Sequence, residues 1–230
     1  MKDFENIQLK LLEAQNIKPQ ILVKQKQRYF ILVDKNISAS LIWNLPKSAQ
    51  IEIYYLFLAS SSNLNLSYKI AKDAKLKVKT LVLAADNEKI DINSKYDFLG
   101  AESVGTLEAG IVLSSQAQVN FPVEFNIAAT AVDSNTRVDL KLSLLGSKAR
   151  GKLLPALKIA GSNLQTGHSA STWRLSPTEE FYLRSRGLSP SAILELWRQA
   201  AWAQFTFGLE EKLIKSWEKK IKQYYDKLPA

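Results

Sequence analysis

The chain has 230 residues and is 46% hydrophobic, enough to bury a substantial core in one large domain or two small ones, and this speaks against disorder as its main state. It contains no cysteine, which excludes disulfides, thiolate catalysis and any cysteine-rich metal or iron–sulfur ligation by this chain alone. The formal net charge is +9, but the lysines are spread along the sequence without interleaved aromatics, so a solvated basic surface is expected in place of a nucleic-acid site.

The opening stretch MKDFENIQLKLLEAQNIKPQ has no basic leader followed by an apolar core. No run approaches the ~20 apolar residues of a membrane span. The expected location is the cytoplasm, away from membranes. Within residues 1–27, Phe4, Ile7 and Leu11 are spaced as on a helix while Ile7, Leu9 and Leu11 alternate as in a strand, and both readings stay open.

From Arg28 the pattern becomes β. RYFILV, SASLIWNL and IEIYYLFLA are rich in β-branched and aromatic residues and are separated by polar breaks. In AKLKVKTLVLA, Leu76, Val78, Thr80 and Val82 share one face and Lys75, Lys77 and Lys79 the other, which predicts a half-exposed strand. KIDI, SVGTLEAGIVL, QVNFPVEFNIAATAV, TRVDLKLSLL and KLLPALKI continue the series with no convincing helix between them. A sandwich, a barrel or a β-solenoid would satisfy this run, and no strict repeat chooses among them. Residues 28–175 are therefore expected to form a β core.

Residues 176–230 read as helical. Ser176, Pro177 and Glu179 form a capping signature, FYLRSR follows, and Gly187 is a natural stop. Ser189 and Pro190 start a second helix with an apolar stripe of Ile193, Leu196, Trp197 and Ala200. Gly208 divides it from an expected third helix carrying Leu213, Trp217, Ile221, Tyr224 and Leu228.

There is no Walker A motif, no G-x-G-x-x-G and no nucleophile elbow, and a single histidine, His168, supplies neither a triad nor a zinc site. Catalysis by this chain alone is not expected. On position alone His168 reads as a hydrogen-bonded structural residue. Arg184 and Arg186 read as cations at a helix C-terminus. Trp197, Trp202 and Trp217 read as packing residues, although aromatics beside arginines also suit a partner-docking face.

The stretch 155–188 resembles the C-terminal core of the SufB/SufD family, the scaffold subunits of the SUF iron–sulfur cluster assembly machinery. That family ends its β region with P-x-L-x-I, an aliphatic residue and S-H-G-A, followed by L-F-Y-L-x-x-R-G-I. Here the order is Pro155, Leu157, Ile159, Leu164, His168, Ala170, Leu175, Phe181, Tyr182, Leu183, Arg186, Gly187 and Leu188. Ser169 stands where the family has glycine.

The resemblance implies a mainly β fold, a right-handed parallel β-helix with a C-terminal helical appendage. It further implies a non-catalytic, SufD-like scaffold subunit, reduced in length, whose helices bind a SufC-like ABC-type ATPase through Phe181, Tyr182, Arg184, Arg186, Trp197 and Arg198. Its β-helix would pair with a SufB-like subunit or a second copy of itself. His168 falls on the family's interface histidine and becomes a candidate metal or cluster-assembly ligand. Without cysteine no cluster is expected to be held stably by this chain alone, and a transient iron–sulfur cluster belongs to the complex. A generic β-solenoid adaptor without an assembly role, and a β-helix carbohydrate-active enzyme, are the alternatives.

Overall fold

The computed structural model describes residues 8–13, 18–58, 61–211, 214–215 and 217–219. Among them are thirteen strands and two helices. The strands are β1 (Gln8–Glu13), β2 (Gln20–Leu22), β3 (Lys26–Val33), β4 (Ile37–Leu45), β5 (Gln50–Phe57), β6 (Ser61–Ile70) and β7 (Lys75–Ala84). They continue with β8 (Lys89–Phe98), β9 (Val104–Leu113), β10 (Gln118–Ile127), β11 (Asn135–Leu144), β12 (Arg150–Ile159) and β13 (Gln165–Arg174). The helices are α1 (Pro177–Ser185) and α2 (Pro190–Thr206). No helix among the described residues is long and apolar enough to cross a membrane.

The odd-numbered strands form one sheet and the even-numbered strands a second, each in sequence order and parallel throughout. The chain therefore winds as a β-solenoid with two strands per coil. This is the parallel β-helix that the family resemblance implies and that the strand pattern alone left undecided. Coil length varies: 24 residues separate the paired Arg28 and Glu52, and 31 separate Ser103 and Ser134. A drifting period of this kind leaves no fixed repeat to detect.

The corners are built by a recurring device. Ser48, Asp73, Asp86, Glu102, Ser115, Asp133 and Asn163 all take positive φ, a conformation that short polar side chains tolerate better than branched ones. At four of these corners the next residue is small and buried: Ala49, Ala74, Ser103 and Ser134. Successive corners also bond to one another, with Ser48 Oγ donating to Asp73 Oδ2 at 2.9 Å and Ser103 and Ser134 sharing a hydroxyl contact at 2.9 Å.

Inside, each strand buries alternate residues, and parallel register stacks them into rows. In the even-numbered sheet one row runs Trp43, Tyr68, Tyr96, Phe125 and Leu157. Ring centroids are 4.4 Å apart between Tyr68 and Tyr96 and 4.3 Å apart between Tyr96 and Phe125. Such pairs contribute about 0.5–1.5 kcal/mol each beyond area burial. Tyr55 of the opposite sheet crosses the core, its hydroxyl accepting from Trp43 Nε1 at 3.0 Å and from the Tyr68 hydroxyl at 3.1 Å.

Burial pushes the phenols of Tyr55 and Tyr68 well up, and that of Tyr29 up to about 12. A raised folded value means that the fold favours the neutral phenol. The associated stability is fully present below the unfolded value of 10.0 and is lost as pH rises through the folded values. Thermal unfolding midpoints should therefore hold steady up to about pH 10 and then fall steeply. Tyrosinate absorbance from the buried set should appear together with unfolding; a smooth titration near the ordinary value in a chain that keeps its near-ultraviolet circular dichroism would contradict the assigned burial.

The outer face of the odd-numbered sheet is partly covered. Phe30, Tyr54, Leu56, Leu58, Leu81, Leu83 and Val112 pack against Phe205 of α2 and against Trp217. Lys79, expected on the exposed side of its strand, is instead 4% exposed, because α2 lies across it. The remaining residues named for a third helix, Leu213, Ile221, Tyr224 and Leu228, lie outside the described residues, as do Phe4 and Ile7.

Candidate functional site

Two adjoining regions carry the residues singled out by the sequence. The first is the C-terminal end of the solenoid. β12 bonds to β10 and β13 to β11, and each is the last strand of its sheet. Their other edges have no strand partner among the described residues. An unpaired parallel edge presents a row of backbone donors and acceptors, a template for another chain.

His168 stands on this edge at a core position. Register places it at the end of the inward row Tyr29, Ile53, Val78, Leu107 and Val138, all buried. Because no further coil lies over β13, the imidazole is exposed. The hydrogen-bonded structural histidine expected from position alone is not what the structure contains, since the His168 imidazole makes no hydrogen bond among the described residues. Its neighbours on the same side of β13 are Thr166, Ala170 and Thr172, and Pro155, Leu157 and Ile159 face inward on β12. A core row that changes from apolar to His, Thr and Ala at the last coil is suited to contact with a partner or solvent.

Among the described residues no group of three or more His, Asp or Glu side chains could hold a metal ion. With no cysteine in the sequence, this end offers one imidazole. Any cluster handled here would need its other ligands from a second chain.

The second region is the helical surface. Ser176 caps α1 as the sequence predicts: its hydroxyl accepts from the Glu179 N–H at 3.2 Å while the Glu179 carboxylate accepts from the Ser176 N–H at 2.8 Å. The Ser176 hydroxyl also donates to that carboxylate at 2.7 Å, and this bond, with the one from the Ser176 N–H, holds the Glu179 carboxyl below the usual carboxylate range. Gly187 ends the helix with φ +87, where an L side chain would be strained. The caps fix α1 so that Phe181 and Tyr182 stand 74% and 56% exposed. Arg184 lies 3.7 Å from Glu180, and the Arg186 guanidinium sits 5.3 Å from the Tyr182 ring centre.

On α2 the buried face differs from the expected stripe. Trp197, Ala201 and Phe205 turn toward the sheet with Leu194 and Trp202, and Ile193 is buried near the start of the helix. Leu196 is 45% exposed and Ala200 is exposed as well. Both stripes have helical spacing; the sheet selected the one that ends at Phe205. Trp202 and Trp217 are packing residues, as expected. Trp197 is half-buried, its ring stacked on Trp173 with centroids 4.5 Å apart. Arg198 is partly buried beside it in sequence.

Lys79 ties α2 down. Its ammonium donates to the Gln204, Phe205 and Phe207 carbonyls at 3.2, 3.4 and 3.4 Å and lies 3.6 Å from Glu108 Oε2. Burial pulls its pKa down, opposed by Glu108. A cation at the helix C-terminus meets the negative end of the macrodipole and the orphan carbonyls together.

The sequence matches the family described as SUF system FeS cluster assembly, SufBD core domain, over residues 44–196. That is more than half of the chain. It belongs to the SufBD family. The match spans most of the solenoid and reaches into α2, and it contains His168, Phe181, Tyr182, Arg184 and Arg186; Trp197 and Arg198 fall just beyond its end. The chain is also 28% identical over 110 residues to the iron-sulfur cluster assembly protein SufD of Bacillus subtilis (strain 168). That alignment takes in 48% of this chain and 25% of the SufD protein, so the chain matches about a quarter of that relative's length.

Sequence reasoning did not name Trp173 and Phe207, and it assigned Leu196 and Lys79 to the wrong surroundings, Leu196 to the packed stripe and Lys79 to the open side of its strand. Phe207 is 81% exposed just past α2. Ser171 and Thr172 precede Trp173 in the sequence and Arg174 follows it, and nothing there marks it as the ring on which α2 rests. The hollow on the outer face of the even-numbered sheet is lined by Ser40, Asn65, Asn93, Pro122 and Leu154, with Lys95 and Glu124 its charged groups. It holds neither a carboxylate pair nor an aromatic platform, the features a carbohydrate-active β-helix would use.

Proposed function

We propose that this chain is a non-catalytic, SufD-like scaffold subunit of a SUF-type iron–sulfur cluster assembly complex. The observation that carries the reading is the last coil, which among the described residues is uncapped, with two unpaired parallel edges and an exposed histidine at a core position. A SufB-like subunit or a second copy of this chain would pair there. The cluster is cargo of the assembled complex: His168 contributes one imidazole and the partner supplies the thiolates that this chain lacks.

The helical surface is the docking face for a SufC-like ABC-type ATPase. Phe181, Tyr182, Arg184 and Arg186 on and after α1 present exposed aromatic and guanidinium groups, the types enriched at interface hot spots. Trp197 and Arg198 extend the face onto α2, with Leu196 as a further exposed apolar contact. In this reading the division of labour follows the fold, with residues 28–175 as the scaffold body and 176–230 as the docking region.

Co-expression should recover a complex with the cognate ABC-type ATPase, and Phe181→Ala should weaken that binding about tenfold or more by calorimetry, since a hot-spot aromatic is worth at least one such factor. The circular dichroism of the variant should be unchanged because the ring is exposed. Failure of the intact chain to bind the ATPase would overturn the docking assignment. The His168→Ala complex should assemble with its partners yet build clusters more slowly; a wild-type rate would remove the ligand role.

A further inference from the structure

The two regions meet at one side chain. Trp173 lies on the outward side of β13, in register with Ser143 of β11. Its indole stacks on Trp197 of α2 with an interplanar angle of 10°. The same indole stands beside the Glu179 carboxylate, the acid of the α1 capping box. One residue of the edge strand thus stacks on α2 and lies near the N-terminal cap of α1.

The neighbouring residue fixes the strand end. Arg174 donates to the carbonyls of Gly146 at 2.9 Å, Ser147 at 3.3 Å and Ala149 at 2.7 Å. Those carbonyls belong to the turn that leads into β12 at Arg150. A displacement delivered at Trp173 therefore reaches both edge strands at the same corner. β13 has one strand neighbour, β11, whereas strands inside the sheet have two. An edge strand held from one side is the element that moves most readily.

We infer that Trp173 is a positioning joint through which the seating of α1 and α2 sets the position of β13, and with it His168 and the edge open to a second scaffold chain. His168 lies five residues upstream on the same strand, about 17 Å away at the usual rise. A β-strand is stiff along its length, so a shift at Trp173 is passed to that distance without an intervening hinge. The consequence for cluster assembly rests on the reading given under Proposed function; the coupling itself is a property of this chain alone.

Hydrogen exchange on the full chain tests it. Trp197→Ala alters α2 and reaches β13 through Trp173, so exchange of the 166–174 amides should rise about tenfold while the β7 and β9 amides hold. Trp197→Phe keeps a stacking ring and should restore most of the protection. Leu196→Ala, on the exposed side of the same helix, should leave β13 unchanged. In a Trp173→Ala background, adding Trp197→Ala should have no further effect on β13, and this cycle stays decisive even if α2 loosens in the single variant. Unchanged β13 exchange in Trp197→Ala, an equal response to Leu196→Ala, or additive effects in the cycle would each overturn the joint. With the ABC-type ATPase and ATP added, β13 exchange should shift in the wild type and stay put in Trp173→Ala, which should still bind. If the wild type does not bind the ATPase, the docking reading fails while the isolated-chain experiments still decide the joint.

Discussion

Replacing Phe125 with alanine should lower the free energy of unfolding by about 3–5 kcal/mol, the usual cost of emptying a phenylalanine site in a packed core. The ring is fully buried and lies 4.3 Å from Tyr96 and 5.3 Å from Phe98 by centroid. Those neighbours belong to β8, which is paired on both sides, so they cannot close the void by moving toward it. The other neighbour in the row, Leu157, is on the edge strand β12 and has more freedom. Partial relaxation from that side places the expectation toward the lower end of the range. Leu157→Ala, one coil farther along the same row but already half-exposed, should cost less than half as much by chemical denaturation. Equal costs for the two would mean that the last coil is as tightly held as the interior, and the open end would have to be abandoned.

The β core was readable because a two-sheet solenoid buries one side of every strand. TRVDLKLSLL gives its register directly: Val138, Leu140, Leu142 and Leu144 all face inward. The segments that escaped detection did so for different physical reasons. β6 alternates correctly through Leu64, Leu66 and Tyr68, but its outward residues are Asn63, Asn65 and Ser67, types that avoid ordinary strands. Here they face their counterparts on the next coil, and Asn93 Nδ2 donates to Asn65 Oδ1 at 3.0 Å. The inward side of β13 carries Thr166, His168, Ala170 and Thr172 in place of an apolar row, and no coil covers it among the described residues. Its place in the fold was legible through the family resemblance alone.

Helix boundaries were legible for the same reason that caps work: Ser176, Glu179 and Gly187 act within a few residues of one another, so sequence spacing is spatial spacing. The face of α2 was not, since two stripes with equal helical spacing compete and the winner depends on residues more than a hundred positions upstream. Lys79 and Gln204 bond across 125 residues, and no local pattern announces that a lysine on a strand will serve as a helix cap. His168 was singled out because it is the lone histidine. Its exposure at the end of a buried row is a consequence of register and could not be read from its neighbours.

Phe205→Ala should have a similar local cost, about 3–5 kcal/mol, with a different outcome. Phe205 is 5% exposed and is wedged among Tyr54, Trp202 and Trp217, with centroids 5.8, 5.7 and 5.8 Å away. None of its partners belongs to the inner core, so losing the ring removes the anchor of α2 without opening the solenoid. The Lys79 clamp resists detachment, but it bonds to the same turn of helix: the carbonyls of Gln204, Phe205 and Phe207 shift as a unit once the ring is gone. An exposed helix of this length is marginal by itself in water. The expected result is fast exchange of the 193–206 amides and loss of helical circular dichroism, while amides of β5, β7 and β9 keep their protection. If these helices form the proposed docking face, binding of an ABC-type ATPase should fall with it. If exchange instead rises uniformly through the solenoid strands, α2 is part of the folding core, and the helices cannot move separately from the solenoid.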